Sequence, residues 1–260
     1  MRLTTCMAGV ALSMALVLAA RGAAAADPPA APKLSTFAPA SDLVRQTDYY
    51  LGRLDESLAS ESQYKEDKEK ITKDGNTLIL IALALGLDDR DNKYKEAAPG
   101  VERDARRLAK ATTYAAAKAA LADTHRELSA PVQAYVLGWD KASASLAELM
   151  KQVPLINARL KRNLKNPKRF ALKAKDTEGD TATLAVIAQG SMGAVSQTKK
   201  PTEAAKWVSL CAEMRDAAAA VNKAIHAGDP KATEKAMKPL AESCDNCHTV
   251  FNPEQVGKPE

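Results

Sequence analysis

The chain has 260 residues, 46% hydrophobic and only 4% aromatic, with 37 Lys and Arg against 32 Asp and Glu. That length suits two small domains or one large one, and a formal charge of +5 is no electrostatic case for nucleic acid. Ala, Leu, Lys and Glu are abundant and β-branched alternation is absent, so an all-α fold is expected.

Residues 1–26 read as a cleavable signal peptide. Met1-Arg2 gives a short basic start, Met7 to Ala20 an apolar run, and Ala24-Ala25-Ala26 a small-residue cleavage site. The run is too short for a comfortable membrane span, and Leu78 to Leu87 covers only ten residues, so no span is expected. Cys6 precedes the apolar run, which argues against a lipoprotein anchor. The mature protein is expected in the periplasm. Losing Arg2 and Arg21 leaves 35 basic residues against 32 acidic ones, a net charge of +3.

Four prolines between residues 27 and 39 exclude regular helix or strand there, and the segment reads as a tether. Residues 40–130 then read as a first helical domain. Ser41 and Asp42 can cap a helix with Leu43, Tyr50, Leu51, Leu54 and Leu58 at helical spacing. Glu61 to Lys73 reads as its charged end, and Asp74-Gly75-Asn76 as a break. Thr77 to Gly86 is expected as a short buried helix, Pro99 as the first turn of a third, and 112–129 as an Ala-rich fourth.

Residues 131–260 repeat the count. A stripe from Pro131 takes in Val132, Tyr135, Val136, Trp139, Leu146, Leu149, Met150 and Val153, with Pro154 kinking or restarting it. Asn166-Pro167 closes that segment. Thr181 to Val195 follows Glu178-Gly179-Asp180 as a second short helix. Pro201 opens a third, with Trp207, Leu210, Cys211 and Met214 on one face and Gly228 as its stop. Asp229-Pro230 starts the last helix, in which Pro239 implies a kink or break. The two halves are alike: Asp74-Gly75-Asn76-Thr77 and Glu178-Gly179-Asp180-Thr181 lie 104 residues apart (75 to 179), which indicates internal duplication. The first half, residues 40–130, contains no cysteine.

The last helix carries Cys244-Asp245-Asn246-Cys247-His248, the spacing of covalent c-type haem attachment. On a helix these three side chains share one face, so Cys244 and Cys247 can each take one vinyl group while His248 addresses the iron. One haem c per chain is expected, and its two propionates bring the mature charge near +1. A thioredoxin-like redox pair needs a βαβ setting, and zinc needs four ligands, for which only Cys211, His125 and His226 remain. Cys211 reads as a buried apolar residue, His125 and His226 as surface residues, and Trp139 and Trp207 as core or haem-wall packing.

A secreted four-helix unit with this motif near the end of its last helix resembles the cytochrome c′ family, well over residues 131–253 and as a diverged copy before them. The resemblance implies two tandem four-helix bundles, with haem in the C-terminal one, thioethers at Cys244 and Cys247, and His248 as axial ligand. It departs from the family in the doubled architecture and in Thr249, Phe251 and Asn252, where many relatives carry a basic residue. It also frames the sixth iron position. Antiparallel first and last helices place residues 146–154 opposite the motif, which makes Met150 the first candidate and Met192 a weaker one. With a methionine ligand the family transfers electrons; without one it binds small gases. No acid/base pair or nucleophile asks for an enzyme. A redox partner protein is implied; a third reading has the haem-free half dock that partner while haem chiefly stabilises the second half. The resemblance also makes a homodimer plausible.

Overall fold

The computed structural model describes residues 30–131 and 135–255. The signal-peptide reading, Pro28, Pro29 and Val132 lie outside them. The described residues form nine α-helices and no strand, an all-α fold. These are α1 (Ala40–Ser57), α2 (Glu61–Gly86), α3 (Ala98–Ala109), α4 (Tyr114–Ser129), α5 (Leu146–Leu164), α6 (Pro167–Leu172), α7 (Ala174–Ser191), α8 (Ala204–His226) and α9 (Pro230–Phe251). Among the described residues no helix is long and apolar enough to cross a membrane.

Local signals set most helix starts. Ser60, Thr113, Ser145, Asn166 and Asp229 each accept a bond from the backbone N–H three residues on, satisfying donors that a helix leaves open. Pro99, Pro167 and Pro230 occupy first turns, where a missing N–H costs nothing. Gly228 takes φ 64° after α8, the left-handed stop expected of it.

Two expected breaks are absent. Asp74-Gly75-Asn76 lies inside α2 and Glu178-Gly179-Asp180 inside α7. Tertiary contacts override their low helix propensity. Asp74 binds Arg53 at 2.8 Å, and Asn76 accepts from the Ser145 N–H at 2.7 Å. Asp180 binds Arg159 at 2.6 Å, and Glu178 binds Arg45 at 2.8 Å. The glycines admit neighbours: Ala109 lies 3.2 Å from where a Gly75 Cβ would stand, and the Gln46 side chain occupies the place of a Gly179 Cβ.

The helix expected from Pro131 is also corrected. Residues 135–145 are irregular apart from one 3-10 turn, Trp139–Lys141, and α5 begins only at Leu146. Tyr135 reaches across to Glu102, and Leu137 sits over Gly86, so this segment serves as a strap between elements. Later starts shift as well: α8 begins at Ala204 rather than Pro201, and a 3-10 turn, Met192–Gln197, ends what was expected as one short helix. Asn166 does not only close α5 but caps α6. Pro154 and Pro239 both lie within continuous helices, α5 and α9.

Helices α2 and α7 are central, with Leu78 to Leu85 and Thr177 to Ser191 buried on all sides. The packing crosses between halves: α1 lies on α7, α5 lies on α2, and α2 meets α7. One apolar core takes side chains from α1 to α9, on both sides of residue 130. A second, smaller cluster gathers Leu146, Met192, Trp207, Leu210, Cys211 and Phe251 at the end of α9.

Candidate functional site

The motif residues occupy the last two turns of α9, which runs unbroken from its Asp229 cap to Phe251. Cys244, Cys247 and His248 therefore share one helix face, as their spacing requires. Packing beyond the motif fixes the rotation of that face. Phe251 is buried edge-on against Trp207, with ring centroids 5.0 Å apart. The Trp207 indole N–H donates to the Ser191 carbonyl at 2.7 Å. One aromatic pair thus ties the end of α9 to the start of α8 and the end of α7. The Asn252 N–H donates to the His248 carbonyl at 2.8 Å, closing the helix at the histidine.

That face opens into an apolar pocket walled by all four long helices of the second half. Met150, Val153 and Pro154 come from α5; Ile187, Ala188 and Ser191 from α7; Trp207, Leu210, Cys211 and Met214 from α8. Cys244, Cys247 and His248 complete it. The Ser191 hydroxyl is buried there with no hydrogen-bond partner among the described residues. A buried polar atom left unpaired costs about 1–3 kcal/mol, so this wall suits an occupant.

Of the expected site residues, Cys244, Cys247, His248 and Met150 come together in this pocket. Met192 does not line it; its sulfur instead accepts from the buried Gln189 amide at 3.5 Å. Trp207 is pocket wall, while Trp139 sits on the strap against the main core. Sequence reasoning missed Met214 and Ser191. Met214 was visible on the Trp207–Leu210–Cys211 stripe, where it passed for core. Ser191 gave no signal, because α7 is buried all round and shows no preferred face.

Three observations narrow the chemistry. Cys211, Cys244 and Cys247 are thiols, not disulfides. Burial pushes the Cys247 thiol up to about 11, helped by the nearby Cys244 and Glu213. A thiol held protonated by burial is a weak nucleophile at neutral pH. The motif's donor atoms also do not converge as metal ligands. Among the described residues the group that does is Asp42, Glu178 and His226, within 4.8 Å.

That second cluster lies where α1, α7 and α8 meet. His226 is exposed, as expected, and stands 2.8 Å from Asp42 and 3.5 Å from Glu178. Arg45 already bridges both carboxylates at 2.6 and 2.8 Å, and Lys175 binds Glu178 at 3.0 Å. With both carboxylates already paired to cations, the cluster reads as a structural ion-pair network. His125 is exposed beside Asp55 at 2.9 Å, far in sequence from the pocket residues.

No family model, curated protein or solved structure matches the chain.

Proposed function

We infer that this protein is an exported c-type cytochrome that carries one haem c and transfers electrons. The observation behind this is the convergence at the end of α9: two thiols and an imidazole on one helix face, opening into a pocket lined by apolar side chains. The donor set fits the group. Cys244 and Cys247 would hold the haem through one thioether each, an addition of thiol to vinyl that requires no oxidant. When bound, the haem supplies a one-electron ferric–ferrous couple. His248 would hold the iron from α9, Met150 of α5 lines the same pocket as the candidate sixth ligand, and Val153, Ile187 and Leu210 would keep water from the group.

The resemblance to cytochrome c′ proteins belongs to the same reading, with α5, α7, α8 and α9 as the haem-bearing bundle and α1–α4 as its haem-free copy. Export through residues 1–26 and a protein redox partner complete it. A second reading, binding of small gases at an open iron position, is favoured by the apolar walls around Met150. A low-spin ferrous spectrum with a sharp α-band supports electron transfer; a high-spin one supports gas binding.

The test of haem attachment is direct. Wild-type protein from cells that attach c-type haem should give one haem per chain by mass spectrometry and a peroxidase-positive band on a denaturing gel. Cys244→Ala/Cys247→Ala should abolish the band. A double variant that still stains would sink the reading.

A further inference from the structure

We propose that the haem propionates are held by lysines that sequence alone places far from the motif: Lys151 and Lys161 of α5 and, from the other half of the chain, Lys73 of α2. The inference rests on the haem-binding reading above.

Beside the apolar pocket lies an open polar cleft, and the two meet at Met150, Pro154 and His248, which line both. The cysteines line only the pocket. Lys73, Lys151, Lys161, Glu69 and Asp245 line only the cleft. On a porphyrin the vinyl and propionate groups sit on opposite sides of the iron. A macrocycle tied to Cys244 and Cys247, with its iron at His248, therefore has its vinyl edge on the apolar side and its carboxylates on the polar side. The division of polarity across His248 is the one this amphipathic ligand demands.

Lys73 adds an independent sign. Its side chain is only 16% exposed, yet its one ion pair among the described residues is Glu69 at 3.9 Å. Glu69 is itself 67% exposed and shared with Lys151 at 3.6 Å. A lysine whose stem is so far buried has little freedom to carry its ammonium elsewhere than the cleft, where Glu69 is a distant partner and room remains for an anion. Lys151 is better served, by Glu148 at 2.9 Å. Among the described residues that line the cleft, Lys73, Lys151 and Lys161 stand with Glu69 and Asp245. The residues after the motif, Thr249 to Asn252, carry no cation, so the counter-charge has to come from elsewhere in the fold. Continuity of α2 through Asp74-Gly75-Asn76 is what sets Lys73 beside the second half.

The experiment uses the full-length holoprotein. Reduction potential is measured against pH by optical titration for wild type, Lys73→Gln, Lys73→Arg and the control Lys238→Gln, whose side chain on α9 is 81% exposed and outside the cleft. Removing a cation near the haem should favour the ferric state about two- to tenfold, tenfold being about 59 mV for one electron. The bend in the potential–pH curve from propionate ionisation should move to higher pH, because the carboxylate loses its partner. Lys73→Arg should restore both, and Lys238→Gln should change neither. Covalent haem with both quantities unchanged in Lys73→Gln overturns the proposal while leaving haem binding intact. Absence of covalent haem in wild type overturns the earlier reading instead. If Lys73→Gln fails to accumulate, Lys161→Gln reads the same two quantities, and no change there is equally fatal.

Discussion

Met150→Leu separates the two functional readings, because the two roles of that side chain predict different magnitudes. Met150 is partly buried, packed against both apolar clusters where α5 faces the α9 motif. Leucine conserves volume and apolarity, so as a packing change the swap costs under about 1.5 kcal/mol. At roughly 2–4 °C per kcal/mol for a chain of this size, the melting temperature should fall by no more than about 6 °C. Ligation adds effects that packing cannot. A methionine sulfur on the iron raises the reduction potential, so its loss should lower it. The variant should also turn high-spin and bind carbon monoxide readily. Met214→Leu is the matched comparison, since it changes the same residue type in the same pocket from α8. The assay is the optical spectrum of both oxidation states, with a carbon monoxide titration and a melting curve for each protein. If wild type already binds carbon monoxide readily and Met150→Leu leaves spectrum and potential unchanged, Met150 is packing and the gas-binding reading takes precedence. If Met214→Leu gives the spectral change instead, the ligand was assigned to the wrong helix.

Two further outcomes concern the scaffold. Arg159 binds Asp180, which is buried and whose carboxyl is pushed up by that burial. Arg159→Met strands the buried carboxylate and should cost about 3–5 kcal/mol in urea unfolding, part of it recovered by adding Asp180→Asn; a loss under about 1 kcal/mol would show that the pair is not structurally required. Asp123 has its carboxyl held low by Arg107 first and then by Arg126. Its contribution is therefore present above the unfolded carboxylate range near pH 3.9 and lost as pH falls through the lower folded value. Asp123→Asn should flatten the acid limb of stability by less than about 1 kcal/mol, and an unchanged limb between pH 2 and 5 contradicts the assignment.

What the sequence disclosed divides by the range of the interactions involved. Periodicity places α1 closely, although Ser41 and Asp42 lie inside it and do not cap it; a first-turn proline places α3, and caps place α4 and α9. The Cys-x-x-Cys-His spacing is equally local, and antiparallel helix order sufficed to bring Met150 to it. The errors at Gly75 and Gly179 have the opposite origin. Both glycines stay helical because a distant partner, Ala109 or Gln46, fills the space that a side chain would need, and nothing adjacent in sequence announces this. The strap after Pro131 kept a helical pattern of apolar residues, yet Tyr135 and Leu137 use theirs against α3 and α2. Lys73 was hidden for the same reason as Gly75: as the solvated end of the first helix it pointed nowhere, whereas within an unbroken α2 it reaches the cleft.

The exchange in which α1 rests on α7 and α5 on α2 has a consequence for how this molecule responds to dilution. Between separate chains, such reciprocal packing is populated only in proportion to protein concentration. Here the strap through residues 135–145 makes both contacts unimolecular, so their occupancy is set by the connection and not by abundance. The walls of the apolar pocket inherit that independence, since α5 and α7 build them and α2 and α1 support those helices from behind. A single proteolytic cut in the strap would leave every contact in place at first. It would also turn a fixed architecture into a bimolecular equilibrium, one that dilution can undo.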